Sequence, residues 1–134
     1  MATVWKVEDQ AERVLRQRRA FRDCVASFAE PSSDVDGAEL IYGELVANTV
    51  RYAKGAVEVR LELVDHLAPV LVVRDHGPGM RVRPWTPRRD VFAESGRGLG
   101  IVELLAREVA VGDADGGGTV VRATLPVTPR GKAA

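Results

Sequence analysis

The stretch ELVANTVRYAKGAVEVRLEL, Glu44 to Leu63, changes its apolar period partway along, and that change decides the fold. In its first half Glu44, Asn48 and Arg51 recur at helical spacing on one face, while Leu45, Thr49 and Tyr52 share the neighbouring face, with Ala38 and Ile41 leading into it. Lys54-Gly55 closes that helix. From Ala56 the period becomes two: Val57, Val59, Leu61 and Leu63 face one way and Glu58, Arg60 and Glu62 the other, as in a half-buried antiparallel strand. The polar helix face invites a chemical reading. An amide oxygen is a hard, neutral ligand suited to Mg²⁺, which keeps most of its waters and takes few protein ligands. A carboxylate one turn earlier can accept a proton beside the metal, and a guanidinium can meet phosphate or lock the carboxylate. An ordinary solvated helix face is the competing reading.

Working outward, Thr3 to Val7 alternates as an edge strand, and Glu8 and Asp9 put acidic residues where a helix start favours them. One helix is expected from there to about Ala29, apolar at Ala11, Val14, Phe21, Val25 and Phe28. Its other face is basic, with Arg13, Arg16, Arg18, Arg19 and Arg22, and is either solvated or a surface for a partner protein. Pro31 ends that helix, and Ser32-Ser33-Asp34 offers caps for the next, which carries the opening motif to Ala53. Asp65 to Pro69 is a turn, and Val70 to Val73, apolar on both faces, is a central strand delivering Asp75 at its end. Arg81 to Ser95 is a long loop. Leu99 to Arg107 is helical, Val109 and Val111 begin a strand, and Asp113 to Gly117 is a turn. Thr119, Val121, Ala123 and Leu125 alternate as the last strand, and the tail from 127 to 134 is expected to be mobile. This order predicts an α+β, two-layer sandwich with helices stacked on one side of a mostly antiparallel sheet.

With 134 residues and 46% hydrophobic content, the chain suits one domain with one core. Nineteen basic residues balance nineteen acidic ones, so no overall field holds nucleic acid or an anionic membrane. No apolar run approaches a membrane span, and MATVWKVEDQ lacks the layout of a signal peptide, so a soluble, cytoplasmic protein is expected. The one cysteine, Cys24, sits beside Phe21, Val25 and Phe28 in a helical pattern and reads as packing. No disulfide or metal cluster is expected.

Glycine-bearing stretches follow the central helix in order: Asp75-His76-Gly77-Pro78-Gly79, Gly96-Arg97-Gly98-Leu99-Gly100, and Gly116-Gly117-Gly118-Thr119. Asp75, held at the end of a buried strand, is a fixed acceptor suited to the amino group of adenine, where guanine presents a carbonyl. Gly77-Pro78-Gly79 makes a tight turn that lets backbone approach a base and sugar without a Cβ. Gly96 to Gly100 directly precedes a helix, so its amides and the positive end of the dipole face phosphate. The last run by itself is a hairpin turn. No G-x-x-x-x-G-K-[ST] occurs, and the G-x-G run lacks dinucleotide spacing.

Together these residues resemble the ATP-binding domain shared by gyrase, the Hsp90 chaperones, sensor histidine kinases and MutL, most closely its small bacterial anti-sigma-factor kinase branch. The resemblance covers nearly the whole chain. It implies the Bergerat fold, with ATP and Mg²⁺ as cofactors. It further implies Glu44 as general base, Asn48 as the Mg²⁺ ligand, Asp75 as the adenine anchor and Thr119 as a second adenine contact, while Arg51 matches an arginine common in that branch. Gly96, Arg97, Gly98, Leu99 and Gly100 would face the phosphates, and residues 80–95, arginine-rich around Trp85, would form a lid rather than a nucleic-acid surface. Tyr52 stands where those kinases often have His. The implied activity is serine/threonine phosphorylation of an anti-anti-sigma partner coupled to sequestration of a sigma factor, without direct nucleic-acid or membrane binding and with a homodimer in prospect. A switch kinase of a stress pathway, the catalytic piece of a histidine kinase, an ATPase clamp and a non-catalytic ATP-binding module are the alternatives. Against a histidine kinase, the histidines are His66, in a predicted turn, and His76, inside the adenine motif.

Overall fold

In the computed structural model, residues 2–52, 55–76, 97–114 and 116–131 are described, with the side chains of residues 51, 52 and 97–99 left out. The chain forms β1 (Ala2–Gln10), α1 (Ala11–Leu15), α2 (Arg18–Phe28), α3 (Val35–Tyr52), β2 (Ala56–Leu63), β3 (Val70–Asp75), α4 (Arg97–Leu105), β4 (Glu108–Asp113) and β5 (Thr119–Thr124). The strands make one sheet of five in the order β1-β2-β3-β5-β4, antiparallel throughout, so β3 is central as its apolar composition requires.

Alternation sorts the strands into two faces. Val57, Val59, Leu61, Leu71, Val73, Val121 and Ala123 join Val14, Phe21, Val25, Ile41, Tyr42, Leu45 and Val46 in one core between sheet and helices. Each of these strand side chains faces α3 or its neighbours, which makes the molecule a two-layer α+β sandwich with helices on one face. Under β1 the rings of Trp5, Phe21 and Tyr42 form a cluster, Phe21 stacked on Tyr42 at 4.6 Å and Trp5 edge-on to each at 5.7 and 5.8 Å.

Three expectations change. The first helix is broken in two at Arg16-Gln17, where Gln17 N–H donates to the Val14 carbonyl at 3.0 Å, a tightened turn that re-aims α2. The same carbonyl accepts the buried Tyr42 hydroxyl at 2.6 Å, so the break is pinned to α3. The first strand runs to Gln10 rather than Val7, because Glu8, Asp9 and Gln10 pair with Glu58, Val57 and Ala56. The tail expected to be mobile is tied down as far as 130: Val127 is fully buried, and Glu30 N–H donates to Thr128 O at 2.8 Å. Arg130 N–H donates to Phe28 O at 2.8 Å, so these backbone groups find partners that the polar sequence did not announce.

The basic face of α2 is partly consumed in fastening it to α3: Arg22 pairs with Asp36 at 2.5 Å and Glu39 at 2.7 Å, and Arg18 with Glu39 at 3.5 Å. Asp34 caps α3, its Oδ1 accepting Gly37 N–H at 2.8 Å, as the run Ser32-Ser33-Asp34 leads one to expect. Cys24 is half-buried with its thiol against the Val4 carbonyl, and burial raises its pKa. No described helix is long and apolar enough to cross a membrane.

Candidate nucleotide site

Helix α3 crosses the sheet over β3, and a recess opens between them and β5. Leu45, Asn48 and Thr49 line it from the helix, Val73 and Asp75 from β3, and Thr119 and Val121 from β5. Its space is about 280 Å³, open solvent included. Asp75, Asn48 and Thr119, distant in sequence, are thus brought together. β3 ends at Asp75 and β5 begins at Thr119, one step past the last paired residues, Arg74 and Val120. Asp75 is only 2% exposed and Thr119 6%, so both polar groups are set by backbone that the sheet holds rigid.

The walls between them are apolar: Leu45, Val73 and Val121. This lining matches the chemistry of a flat ring with polar edges, with aliphatic side chains for its faces and a buried carboxylate for its donors. Thr49, expected only to pack, is buried and also lines the recess, its hydroxyl proton committed to Val46 O at 2.6 Å. Asn48 and Glu44, one turn apart on α3, are half-buried. Among the described residues Glu44 makes no hydrogen bond or ion pair, and no group of three or more His, Cys, Asp or Glu could hold a metal.

Gly118 is a part of the site that the sequence presents only as a turn. Gly116, Gly117 and Gly118 all have positive φ, +82°, +107° and +92°, which lets the β4–β5 turn fold tightly. A Cβ on Gly118 would overlap the Asp75 carbonyl oxygen and lie 2.9 Å from its carbon and 3.1 Å from His76 Cα. Ala114 N–H donates to Gly118 O at 3.0 Å and holds the turn in that position. The third glycine is therefore what allows the turn to lie directly on the backbone carrying the buried carboxylate.

The phosphate motif differs in one respect from expectation. Arg97 to Gly100 does not precede a helix but forms the first turn of α4, with Gly100 buried. Because the first four N–H groups of a helix have no partner within it, that turn still presents donors to an anion. Gly77, Gly79, Gly96 and the expected lid at 80–95 lie outside the described residues, as do the side chains of Arg51, Arg97 and Leu99. Arg51 itself lies on α3 one turn beyond Asn48. His76 follows Asp75 and sits 3.4 Å from Glu8 on β1.

The sequence from residue 7 to 125 matches the model of the histidine kinase-like ATPase domain, and the chain belongs to that family. No curated protein sequence matches it significantly. Among solved structures it is similar to the mycobacterial sensor histidine kinase MprB, at 23% identity and a TM-score of 0.56 over 94% of this chain and 99% of the other. It is also similar to full-length ShkA in complex with AMPPNP, at 23% identity and a TM-score of 0.59 over 95% of this chain, which spans 32% of the ShkA chain. The Acinetobacter baumannii histidine kinase AdeS shares 18% identity at a TM-score of 0.52, over 91% of this chain and 67% of that one. These likenesses bear out the expected fold.

Proposed function

We propose that the chain is an ATP-dependent serine/threonine protein kinase of the anti-sigma type, which phosphorylates an anti-anti-sigma partner and sequesters a sigma factor in the cytoplasm, as a homodimer. The observation that carries this reading is a carboxylate without a partner among the described residues, Glu44, one turn from an amide, Asn48, that lines a recess based on buried Asp75. Bound Mg-ATP supplies the phosphoryl group. Asp75 accepts from the adenine amino group and Thr119 meets the ring edge beside it. Asn48 is the residue that would hold Mg²⁺, and Glu44 takes the proton of the incoming hydroxyl. Neither histidine lies on a helix: His66 is in an exposed turn and His76 is paired with Glu8. A phospho-accepting histidine is therefore not favoured on this domain, and the acceptor is sought on a partner. The even charge balance favours a protein rather than a nucleic acid as that partner.

The test uses labelled ATP, candidate antagonist proteins and location of the label by mass. Phosphate on a partner's Ser or Thr supports the reading, and phosphate on a His replaces it with histidine phosphotransfer. Glu44→Gln is expected to keep ATP affinity and lose about 10²–10⁴-fold in transfer rate, whereas Asn48→Ala weakens nucleotide binding as well. A Glu44→Gln protein that transfers at the normal rate would remove Glu44 from its role.

A further inference from the structure

Thr49 follows Asn48 on α3 and is 7% exposed. A threonine inside a helix commonly returns its hydroxyl to a carbonyl three or four residues earlier, and Thr49 Oγ1 donates to Val46 O at 2.6 Å. That bond spends the single proton of the hydroxyl, so the oxygen keeps acceptor capacity alone. Because the side chain is β-branched, the same bond holds χ1 in one staggered well and keeps the oxygen at a fixed point. On the other wall of the recess stands Asp75 of β3, whose carboxylate, when ionised, is also an acceptor without a donor. Thr119 of β5 differs, since its hydroxyl makes no hydrogen bond to another described residue and its proton can turn to either kind of partner. Leu45, Val73 and Val121 complete these walls with aliphatic side chains.

Resting on the nucleotide reading above, we infer that Thr49 is a second base-reading residue, which acts with Asp75 to select a purine with an amino group at its six position over one with a carbonyl there. The amino group of adenine carries two N–H donors; Asp75 takes one and the Thr49 oxygen takes the other. Guanine presents a carbonyl in that place, and an oxygen with no proton to give opposes it with lone pairs. Thr49 could answer that carbonyl only by releasing Val46 O and leaving its rotamer, so the cost falls on the wrong base alone. A hydroxyl with a free proton would serve both bases. The bond back to Val46 is what makes this one discriminate.

The test compares three nucleotides by calorimetry in the presence of Mg²⁺: ATP, GTP and purine riboside triphosphate, which is ATP with hydrogen in place of the amino group. Thr49→Val keeps the branched shape and removes the oxygen. Val46 O retains its helical partner, the N–H of Val50, so the variant is expected to fold, and Thr49→Ser, which keeps the hydroxyl, is its companion. Thr49→Val is expected to weaken ATP about three- to tenfold, the worth of one hydrogen bond, to leave purine riboside triphosphate unchanged and to narrow the preference for ATP over GTP. Thr49→Ser is expected to keep the ratios of the unmodified protein. An equal loss for ATP and purine riboside triphosphate marks a packing role and overturns the inference, as does an unchanged ratio between them; in both cases ATP still binds the unmodified protein and the nucleotide site stands. An unmodified protein that binds no ATP overturns the nucleotide reading itself, and this inference with it.

Discussion

An alanine at position 118 would have to hold φ near +92° and put its Cβ on the Asp75 carbonyl oxygen. The left-handed backbone alone costs an alanine about 1–2 kcal/mol, and Gly116→Ala, at φ +82° with open space around it, isolates that part. Gly118→Ala is therefore expected to lose ATP affinity in calorimetry well beyond Gly116→Ala, with both less stable in urea. Equal affinities would take Gly118 out of the site. Asp75→Asn is expected to weaken ATP by about 2 kcal/mol or more, because an amide nitrogen can face the adenine donor, and to narrow the preference for ATP over GTP. Equal affinity of the unmodified protein for ATP and GTP would count against Asp75 as the base-reading group. At this scale the sequence is readable wherever chemistry depends on residue type. The amide of Asn48 and the carboxylate of Asp75 stand out by type and place, Thr119 enters only through the family resemblance, and the recess gathers all three. Gly118 does not stand out, because its role is a distance between two strands and a glycine in a turn carries no sign of what lies above it.

Between elements, the ring cluster under β1 makes a pH-dependent joint. The Tyr42 phenol is buried and donates to the Val14 carbonyl, and burial pushes its pKa well above the ordinary value of 10.0. A folded pKa raised above the unfolded one means that the stabilisation is complete below pH 10 and is lost as pH rises further, when the unfolded chain ionises and the folded one does not. Urea stability is thus expected to fall above about pH 10, and Tyr42→Phe to flatten that fall while costing about 1 kcal/mol at neutral pH through the lost hydrogen bond. A variant with the same alkaline slope would place the titration elsewhere; Cys24, also raised by burial, begins its own fall nearer pH 9.0. Strands and the long α3 were legible because period and capping are local properties. The break at Arg16-Gln17 was not, since the apolar spacing of Val14, Phe21 and Val25 runs through it and its pin is a tyrosine on another helix. Nor was the docked segment after β5, whose partners are backbone groups near Phe28 and Glu30.

For the molecule as a whole, a ligand that binds only the folded chain raises its stability by mass action. Mg-ATP at one hundred times its dissociation constant is expected to add about 2.7 kcal/mol, and GTP distinctly less at equal concentration, in thermal or urea melts. Absence of any ATP effect would leave a family member that has kept the fold and lost the ligand. β3 carries the two sides of the molecule on alternate residues, with Leu71, Val73 and Asp75 toward the helices and Val72 and Arg74 away. Parity, then, is part of the site's specification. Deleting one residue between Val70 and Val73 would slide the rest of the strand by half a period, turning Asp75 to the outer face and delivering His76 to the recess in its place. An insertion in the turn at 65–69 leaves the count within the strand untouched. Substitution along β3 alters one wall at a time, whereas a change of length by a single residue exchanges the two faces at once.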